Sequence, residues 1–174
     1  EDLVNEIYPG IQNFICDINL TQAQEDAYNI DDIILNRAYV NMTCRVWGMA
    51  SSHRYSIITN RAFEMTEFDE SGYGWSMLPR NQRFLVLDKY KYKNKTLITL
   101  LHLPDDARWE MFFHFRNNLN DRIVQMTRSS LEQKAYLPPI PELLNMEWIE
   151  MCNVPIGLDE NNKPISPYLI NELN

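Results

Sequence analysis

His53 and the neighbouring Arg54 are the residues of this sequence whose types best suit catalysis. An imidazole exchanges protons near neutral pH, and a guanidinium beside it can hold an anionic group. Combined with Arg61, Glu64 and the lysines of residues 89–95, the pair could form the active site of a small enzyme that acts on a nucleotide or nucleic acid. This enzyme is the alternative that the sequence leaves open.

Motifs that define a reaction are missing from the sequence. It contains no His-x-x-x-His or Cys-x-x-Cys spacing for a metal, no Gly-x-Ser-x-Gly nucleophile turn and no glycine-rich phosphate loop. Cys44 falls on the apolar face of a predicted strand, so we expect a buried and unreactive thiol there. We therefore predict no catalytic residue, no metal site and no cofactor. The lack of such motifs favours a protein without catalytic activity.

Acidic and aromatic side chains are concentrated between residues 67 and 75. Aromatic anchors inside a polar rim are typical of protein contact surfaces. Two consecutive aspartates in the N-terminal segment add a second acidic cluster. The predicted partner-binding residues are Asp31, Asp32, Glu67, Asp69, Glu70, Tyr73 and Trp75.

Lysines alternate with tyrosines in residues 89–93, which places the lysines on one face of a predicted strand and the tyrosines on the other. Such a segment could bind single-stranded nucleic acid by charge and stacking. Lysines also protect an edge strand from pairing with other chains. Because the chain has a formal net charge of −8, we do not expect a nucleic-acid partner.

The charge is unevenly distributed, with acidic ends around a mildly basic middle. Residues 1–36 contain eight carboxylates and no lysine or arginine, residues 37–140 have a net charge of +5, and residues 141–174 have −5. An acidic protein associates faster with a basic partner. We therefore predict a non-catalytic module that binds a basic protein, specifically an acidic inhibitor or immunity-type protein that neutralises a basic enzyme. A structural subunit of an assembly is a third alternative.

The elements that must position these residues follow from the hydrophobic spacing. Apolar residues at helical spacing in residues 3–18 predict an N-terminal helix interrupted at Pro9, and Thr21 signals the start of a second helix. Alternation in residues 40–46 and 54–59 predicts two neighbouring antiparallel strands, and a further short strand is expected after them.

The clearest local pattern is a hairpin whose strands flank Asn94 within residues 83–103. A long helix capped by Asp105 or Asp106 should follow and end before Leu137, and a short helix should follow near residues 142–151. We predict an α+β fold with a mainly antiparallel sheet of four to five strands, covered by the long helix, with helices at the N-terminus and a short C-terminal helix.

One domain spanning residues 1–174 is expected from the chain length. Three widely separated cysteines argue against a disulfide framework and favour a cytoplasmic location. No apolar run is long enough to span a bilayer, so no membrane partner is expected. The glycosylation triplets at Asn19, Asn41 and Asn94 would matter only in a secreted protein. Because the chain begins at Glu1 rather than Met, the sequence leaves open whether a leader has been removed. The sequence also does not determine the oligomeric state.

Overall fold

One mixed β-sheet of eight strands organises the part of the chain that the structure, a computed structural model, describes, which is residues 10–104 and 116–167. The strands are β1 (Gln12–Ile18), β2 (Ile33–Asn36), β3 (Val40–Thr43), β4 (His53–Thr59), β5 (Phe63–Glu64), β6 (Trp75–Leu78), β7 (Gln82–Tyr92) and β8 (Lys95–Leu103). The helices in these residues are α1 (Gln22–Asp26), α2 (Arg116–Lys134) and α3 (Met146–Cys152), with 3-10 turns at Thr66–Phe68 and Pro141–Leu144.

The strands follow the order β2-β7-β8-β4-β1-β3-β6-β5, and β4 runs parallel to β8 while the other neighbours are antiparallel. The predicted sheet of four to five mainly antiparallel strands under a long helix is therefore wrong. A parallel pair needs a crossover between its strands, and β5, β6 and β7 lie in that crossover.

The error begins with β1, which was predicted to be part of a helix. This strand is buried in its central residues on both faces, so its apolar residues show no alternation. It lies between β3 and β4, pairing with β4 from Gln12 to Ile18. The direct pairing predicted for the strands of residues 40–46 and 54–59 is therefore also wrong.

The capping box predicted at Thr21 is confirmed. The Gln24 amide donates to Thr21 Oγ1 at 3.2 Å, and the Thr21 amide donates to Gln24 Oε1 at 2.9 Å. However, α1 ends at Asp26, and residues further along pair with β7 as strand β2. The cap signals where a helix begins, whereas its length depends on packing.

The hairpin around Asn94 is confirmed, with β7 and β8 antiparallel on either side of it. Helix α2 packs on this part of the sheet through Ile123 and Leu131, and it ends before Leu137 as predicted. The predicted caps at residues 105–106 lie outside the described residues. In the described part of the chain, no helix is both long and apolar enough to cross a membrane.

Tyr28 holds α1 against the sheet. Its ring is fully buried, and its hydroxyl donates to the Ile156 carbonyl at 2.7 Å and lies 2.5 Å from the hydroxyl of Tyr55 on β4. Burial raises the pKa of Tyr28, so this hydroxyl stays neutral. Burying such a ring contributes about 2–3 kcal/mol. The short helix is thereby fixed beside the first residues of β4.

Candidate functional site

His53, the first residue of β4, lies between a hydroxyl and a carboxylate. Its Nδ1 is 2.7 Å from Ser52 Oγ, and its Nε2 is 2.7 Å from Glu25 Oε2 on α1. The histidine is 7% exposed, while the Glu25 side chain is 14% exposed. One neighbouring residue and one residue from a separate helix thus meet at the ring.

The hydrogen bonds identify which ring nitrogen carries the proton. The Leu20 amide donates to His53 Nδ1 at 3.3 Å, so Nδ1 presents a lone pair. In the neutral ring Nε2 then carries the proton and donates it to Glu25. The nitrogen that faces Ser52 is therefore the hydrogen-bond acceptor of the ring.

The Ser52 hydroxyl has two acceptors within reach, His53 Nδ1 and Asn19 Oδ1 at 3.0 Å. Asn19 Oδ1 also accepts the Ser52 amide at 3.0 Å, which holds the serine backbone in place. A hydroxyl, an imidazole and a carboxylate in this order form the arrangement that activates a nucleophile. Chemically, the cluster of Ser52, His53 and Glu25 can move a proton from oxygen to nitrogen.

Two lysines of the hairpin are bonded to the main chain in or next to this cluster. Lys89 Nζ donates to the Glu25 carbonyl at 3.2 Å, and Lys95 Nζ donates to the Ser51 carbonyl at 2.8 Å. Thr96 Oγ1 lies 3.4 Å from Glu25 Oε2. Lys89 therefore lies beside the main chain of Glu25, and Lys95 holds the residue that precedes Ser52.

Arg54 does not share the site with His53. Successive residues of a strand point to opposite faces, and Arg54 binds Asp17 on the other face, with Nε–Oδ1 at 2.6 Å and Nη2–Oδ2 at 2.9 Å. Its Nη1 and Nη2 also donate to the carbonyls of Trp47 and Gly48, respectively. At 3% exposure this guanidinium fixes the loop before β4 and has a structural role.

The other residues of the hypothetical enzyme site lie at the far end of β4. Glu64 lines a shallow cleft of about 80 Å³ together with Gln12, Thr59 and Asn60, and Arg61 lies beside it in the sequence. Because β4 separates this cleft from His53, the structure does not bring Arg61 and Glu64 to the candidate site.

His102 lies at this second end. Its Nδ1 is 2.8 Å from Thr59 Oγ1, and its Nε2 is 2.8 Å from Gln82 Oε1. Burial, with smaller contributions from Arg61 and Arg83, lowers the pKa of His102 to about 4. The ring is therefore neutral at physiological pH.

The predicted partner-binding residues lie at opposite edges of the sheet. Asp31 and Asp32 are exposed just before β2, whereas the acidic loop of residues 67–75 adjoins β5 and β6. The structure therefore does not bring the two acidic clusters together. Partner binding by these residues stays a prediction.

Within the acidic loop, the two predicted aromatic anchors are used by the fold. Tyr73 is 5% exposed and packs on Trp148, with ring centroids 5.0 Å apart. Trp75 is half-buried and donates through Nε1 to Asn41 Oδ1 at 3.0 Å.

Asp69 organises the backbone of the same loop. Burial opposes its ionisation, but the amides of Trp75, Tyr73, Gly74 and Gly72 together hold the pKa of Asp69 below its ordinary value. This carboxylate is therefore engaged inside the loop, whereas its neighbours Glu67 and Glu70 point to solvent as exposed side chains.

The cysteines also differ from expectation. Cys44 was predicted to be buried and is exposed, because β3 ends at Thr43 and the chain turns there. Cys16 and Cys152 are buried free thiols. Among residues 10–104 and 116–167, no group of three or more metal-binding side chains occurs.

Sequence reasoning missed Ser52 and Glu25. The adjacent pair of Ser52 and His53 was visible, but a serine beside a histidine has no diagnostic value alone. Glu25 is 28 positions from His53, and only the fold brings the two together. The capping box at Thr21 was the one local signal that placed a helix near Glu25.

No protein-family model and no curated protein matches the sequence. Solved structures with a similar fold include HopU1, an ADP-ribosyltransferase of Pseudomonas syringae pv. Tomato DC3000, at 13% identity and a TM-score of 0.47, covering 53% of this chain and 45% of that one. Another is exoenzyme S from Pseudomonas aeruginosa, in complex with human 14-3-3 protein beta and Carba-NAD, at 8% identity and 0.49, covering 66% and 57%. A third is Vis, an ADP-ribosyltransferase from Vibrio splendidus, at 10% and 0.45, covering 55% and 50%.

The match corresponds to about half the length of these structures. The neighbours are enzymes, so the prediction of a non-catalytic inhibitor or immunity-type protein is wrong. The charge distribution behind that prediction describes how a protein attracts a partner and carries no information on catalysis. At these identities the likeness concerns the fold, and the named activity is not transferred to this chain.

Proposed function

We propose that the chain is an enzyme of the hydrolytic or group-transfer class, with Ser52 as nucleophile, His53 as general base and Glu25 as the carboxylate that orients the ring. One observation carries the proposal: Ser52 Oγ and Glu25 Oε2 lie 2.7 Å from the two nitrogens of the same buried imidazole. This develops the alternative of a small enzyme and replaces the inhibitor hypothesis.

The proton transfers follow from the tautomer. As Ser52 Oγ bonds to an electrophilic carbon or phosphorus of the substrate, its proton passes to His53 Nδ1. The imidazolium is stabilised because Glu25 accepts the Nε2–H. The leaving group departs with its electron pair and takes the proton from Nδ1. A water or an acceptor hydroxyl then repeats the step and releases Ser52, so protons and bonds balance.

The rate acceleration that the proposal requires of this cluster is ordinary for acid–base catalysis. A positioned base accelerates proton transfer by about 10²–10⁴-fold. Asn19 keeps the Ser52 backbone fixed, and Tyr28 keeps α1 in place, so the three groups need little reorganisation before reaction.

A phosphonofluoridate probe tests the proposal without knowledge of the substrate, because it labels activated serines covalently. We expect mass spectrometry of the digested protein to find the label on Ser52, ahead of every other serine. Ser52→Ala should abolish labelling, while the exposed Ser71→Ala should label at the wild-type rate. Labelling spread over exposed serines, or none at Ser52, would refute the proposal.

A basic protein, as a partner or acceptor substrate, belongs to the same proposal. It is supported by the net charge of −8 and by the exposed carboxylates of Glu67 and Glu70 beside Phe68, which is 69% exposed. Capture from lysate, washed at low and then high salt, should release a basic protein with salt. The paired variant Glu67→Gln and Glu70→Gln should retain less of it. Equal retention by both proteins would refute the acidic loop as the contact.

A cytoplasmic location completes the proposal. It is supported by Cys16, Cys44 and Cys152, which are free thiols and thus suited to a reducing compartment. Fractionation of cells expressing the chain should recover it with soluble cytoplasmic markers, and recovery outside the cytoplasm would contradict this part.

A further inference from the structure

We propose that the outer edge of β5 binds an extended, basic segment of a partner protein, which adds to the sheet as a further strand. The inference deepens the proposed basic partner, on which it rests for the charge of the occupant, and does not depend on the proposed catalysis. Strand β5 is the last strand of the sheet, and among the described residues its only neighbouring strand is β6. The opposite end of the sheet is not open in this way, because the Leu35 amide of β2 donates to the Ile165 carbonyl at 2.8 Å.

The register of β5 shows which main-chain groups point outwards. Glu64 is paired with Ser76 on β6. The next residue, Met65, donates its amide to the Trp75 carbonyl at 3.0 Å. In an antiparallel pair, hydrogen-bonded and non-hydrogen-bonded residue pairs alternate along the strands. The amide and carbonyl of Glu64 therefore point away from β6, while those of Phe63 and Met65 point towards it. The edge thus offers a donor and an acceptor to an added strand.

The side chains of this edge leave aromatic surface uncovered. Successive residues of a strand point to opposite faces, and both Phe63 and Glu64 are exposed, Phe63 at 58%. Phe68, at 69% exposure, lies one turn further along, where its amide donates to the Met65 carbonyl. An added strand therefore buries apolar surface in addition to pairing with the main chain.

The charge of this edge selects its occupant. Exposed carboxylates follow one another at Glu64, Glu67 and Glu70, and within the described residues none of them forms an ion pair. A second copy of the chain paired at Glu64 would place like charges opposite each other, which disfavours it. A lysine or arginine opposite Glu64 forms a favourable cross-strand pair instead, and the adjacent residue of the partner lies opposite Phe63. The segment that fits therefore alternates basic and apolar residues.

Fluorescence anisotropy with a labelled peptide that alternates lysine and valine tests the inference. A second peptide of the same sequence is N-methylated at the main-chain amides of its lysines, so it keeps the charge but cannot donate to the edge. We expect the first peptide to bind, and the methylated peptide to bind more weakly by roughly tenfold or more.

Variants of Glu64 separate the main-chain contribution from the charge. Glu64→Pro removes the outward amide and spares the bonds from its neighbours to β6, so it should weaken binding by roughly tenfold or more. Glu64→Gln removes the charge alone and should weaken binding by roughly twofold to fivefold. Glu160→Gln, an exposed carboxylate in the C-terminal segment, is the matched control and should change binding less than twofold. Circular dichroism verifies that each variant is folded.

Hydrogen exchange followed by NMR locates the contact in the wild-type protein. The outward Glu64 amide should exchange more slowly by roughly tenfold or more when the peptide is bound. The amides of Phe63 and Met65 already point to β6, so their exchange should change little.

The inference is overturned if the lysine–valine peptide does not bind, if N-methylation does not weaken binding, or if the Glu64 amide gains no protection. Binding that is lost in the paired variant Glu67→Gln and Glu70→Gln but is insensitive to N-methylation would keep the basic partner and refute strand addition. If the peptide protects Glu64 while capture from lysate recovers no basic protein, strand addition stands and the proposed cellular partner does not.

Discussion

Two buried histidines at opposite ends of the parallel pair β4 and β8 differ in their hydrogen-bond partners. In His53, Nδ1 accepts from Leu20 and Nε2 donates to Glu25. In His102, Nε2 donates to Gln82 Oε1, so Nδ1 accepts from the hydroxyl of Thr59. One ring has a carboxylate as its acceptor, and the other has a neutral amide.

This difference separates a histidine that can work as a base from one that cannot. Once protonated, His53 would be stabilised by the negative charge of Glu25. Burial, with smaller contributions from the positive charges of Arg61 and Arg83, disfavours protonated His102 and lowers its pKa to about 4. The same residue type therefore has a carboxylate as its acceptor at one end of the strand pair and a neutral amide at the other.

Substituting each histidine in turn should show the largest difference between the two ends of the strand pair. His53→Gln should reduce phosphonofluoridate labelling of Ser52 by about 10²–10⁴-fold, because the base is removed. His102→Gln should leave the labelling rate within about twofold of wild type. Labelling kinetics measured by mass spectrometry test this difference, and circular dichroism verifies that both variants are folded. Equal loss of labelling in the two variants would contradict the comparison.

The second largest effect should come from acid, which should lower the free energy of unfolding through His102. Between pH 6.5 and 4 the unfolded chain binds a proton at His102 that the folded chain does not, so the free energy of unfolding falls as pH falls. A depression from 6.5 to about 4 corresponds to about 3 kcal/mol. Urea unfolding at several pH values should show this loss in wild type.

His102→Gln is the control for that measurement, since glutamine does not titrate. Carboxylates also titrate below pH 6.5, and the difference between the two proteins removes their contribution. The variant should lose about 3 kcal/mol less stability over the same range. Identical pH profiles would mean that His102 is not held neutral by the fold.

Replacing the Glu25 carboxylate by a neutral amide tests whether its charge distinguishes His53 from His102. Glu25→Gln keeps an acceptor for Nε2–H but removes the charge, so the environment of His53 becomes like that of His102. We expect Ser52 labelling to fall by roughly tenfold to a hundredfold, the loss of one charge-assisted hydrogen bond. A labelling rate equal to that of wild type would show that the charge of Glu25 is not needed.

Removing the neutral partner should have the smallest effect. Gln82→Ala leaves His102 Nε2–H without its acceptor, which should reduce the free energy of unfolding by about 1–2 kcal/mol without altering Ser52 labelling. Denaturant unfolding at pH 7 measures the first quantity. A change in labelling would imply that the two ends of the strand pair are coupled.

The features that could be predicted depend on residues close together in the sequence. The turn at Asn94, the capping box at Thr21 and the end of α2 before Leu137 follow from local backbone chemistry. Alternation also predicted the two faces of the hairpin, since Lys89 reaches Glu25 while Tyr90 packs towards α2.

Only the tertiary structure decided the strand order and the candidate site. Strand β1 is buried on both faces and inserts between β3 and β4, so no period in its sequence distinguishes it from a helix. The partners of His53 are brought together by that insertion and by Tyr28, which fixes α1 on the sheet. The amino-acid sequence by itself determined local turns, caps and the available chemical groups. Which groups meet depended on burial between distant segments, because a side chain's partners are selected by the packing of the whole sheet.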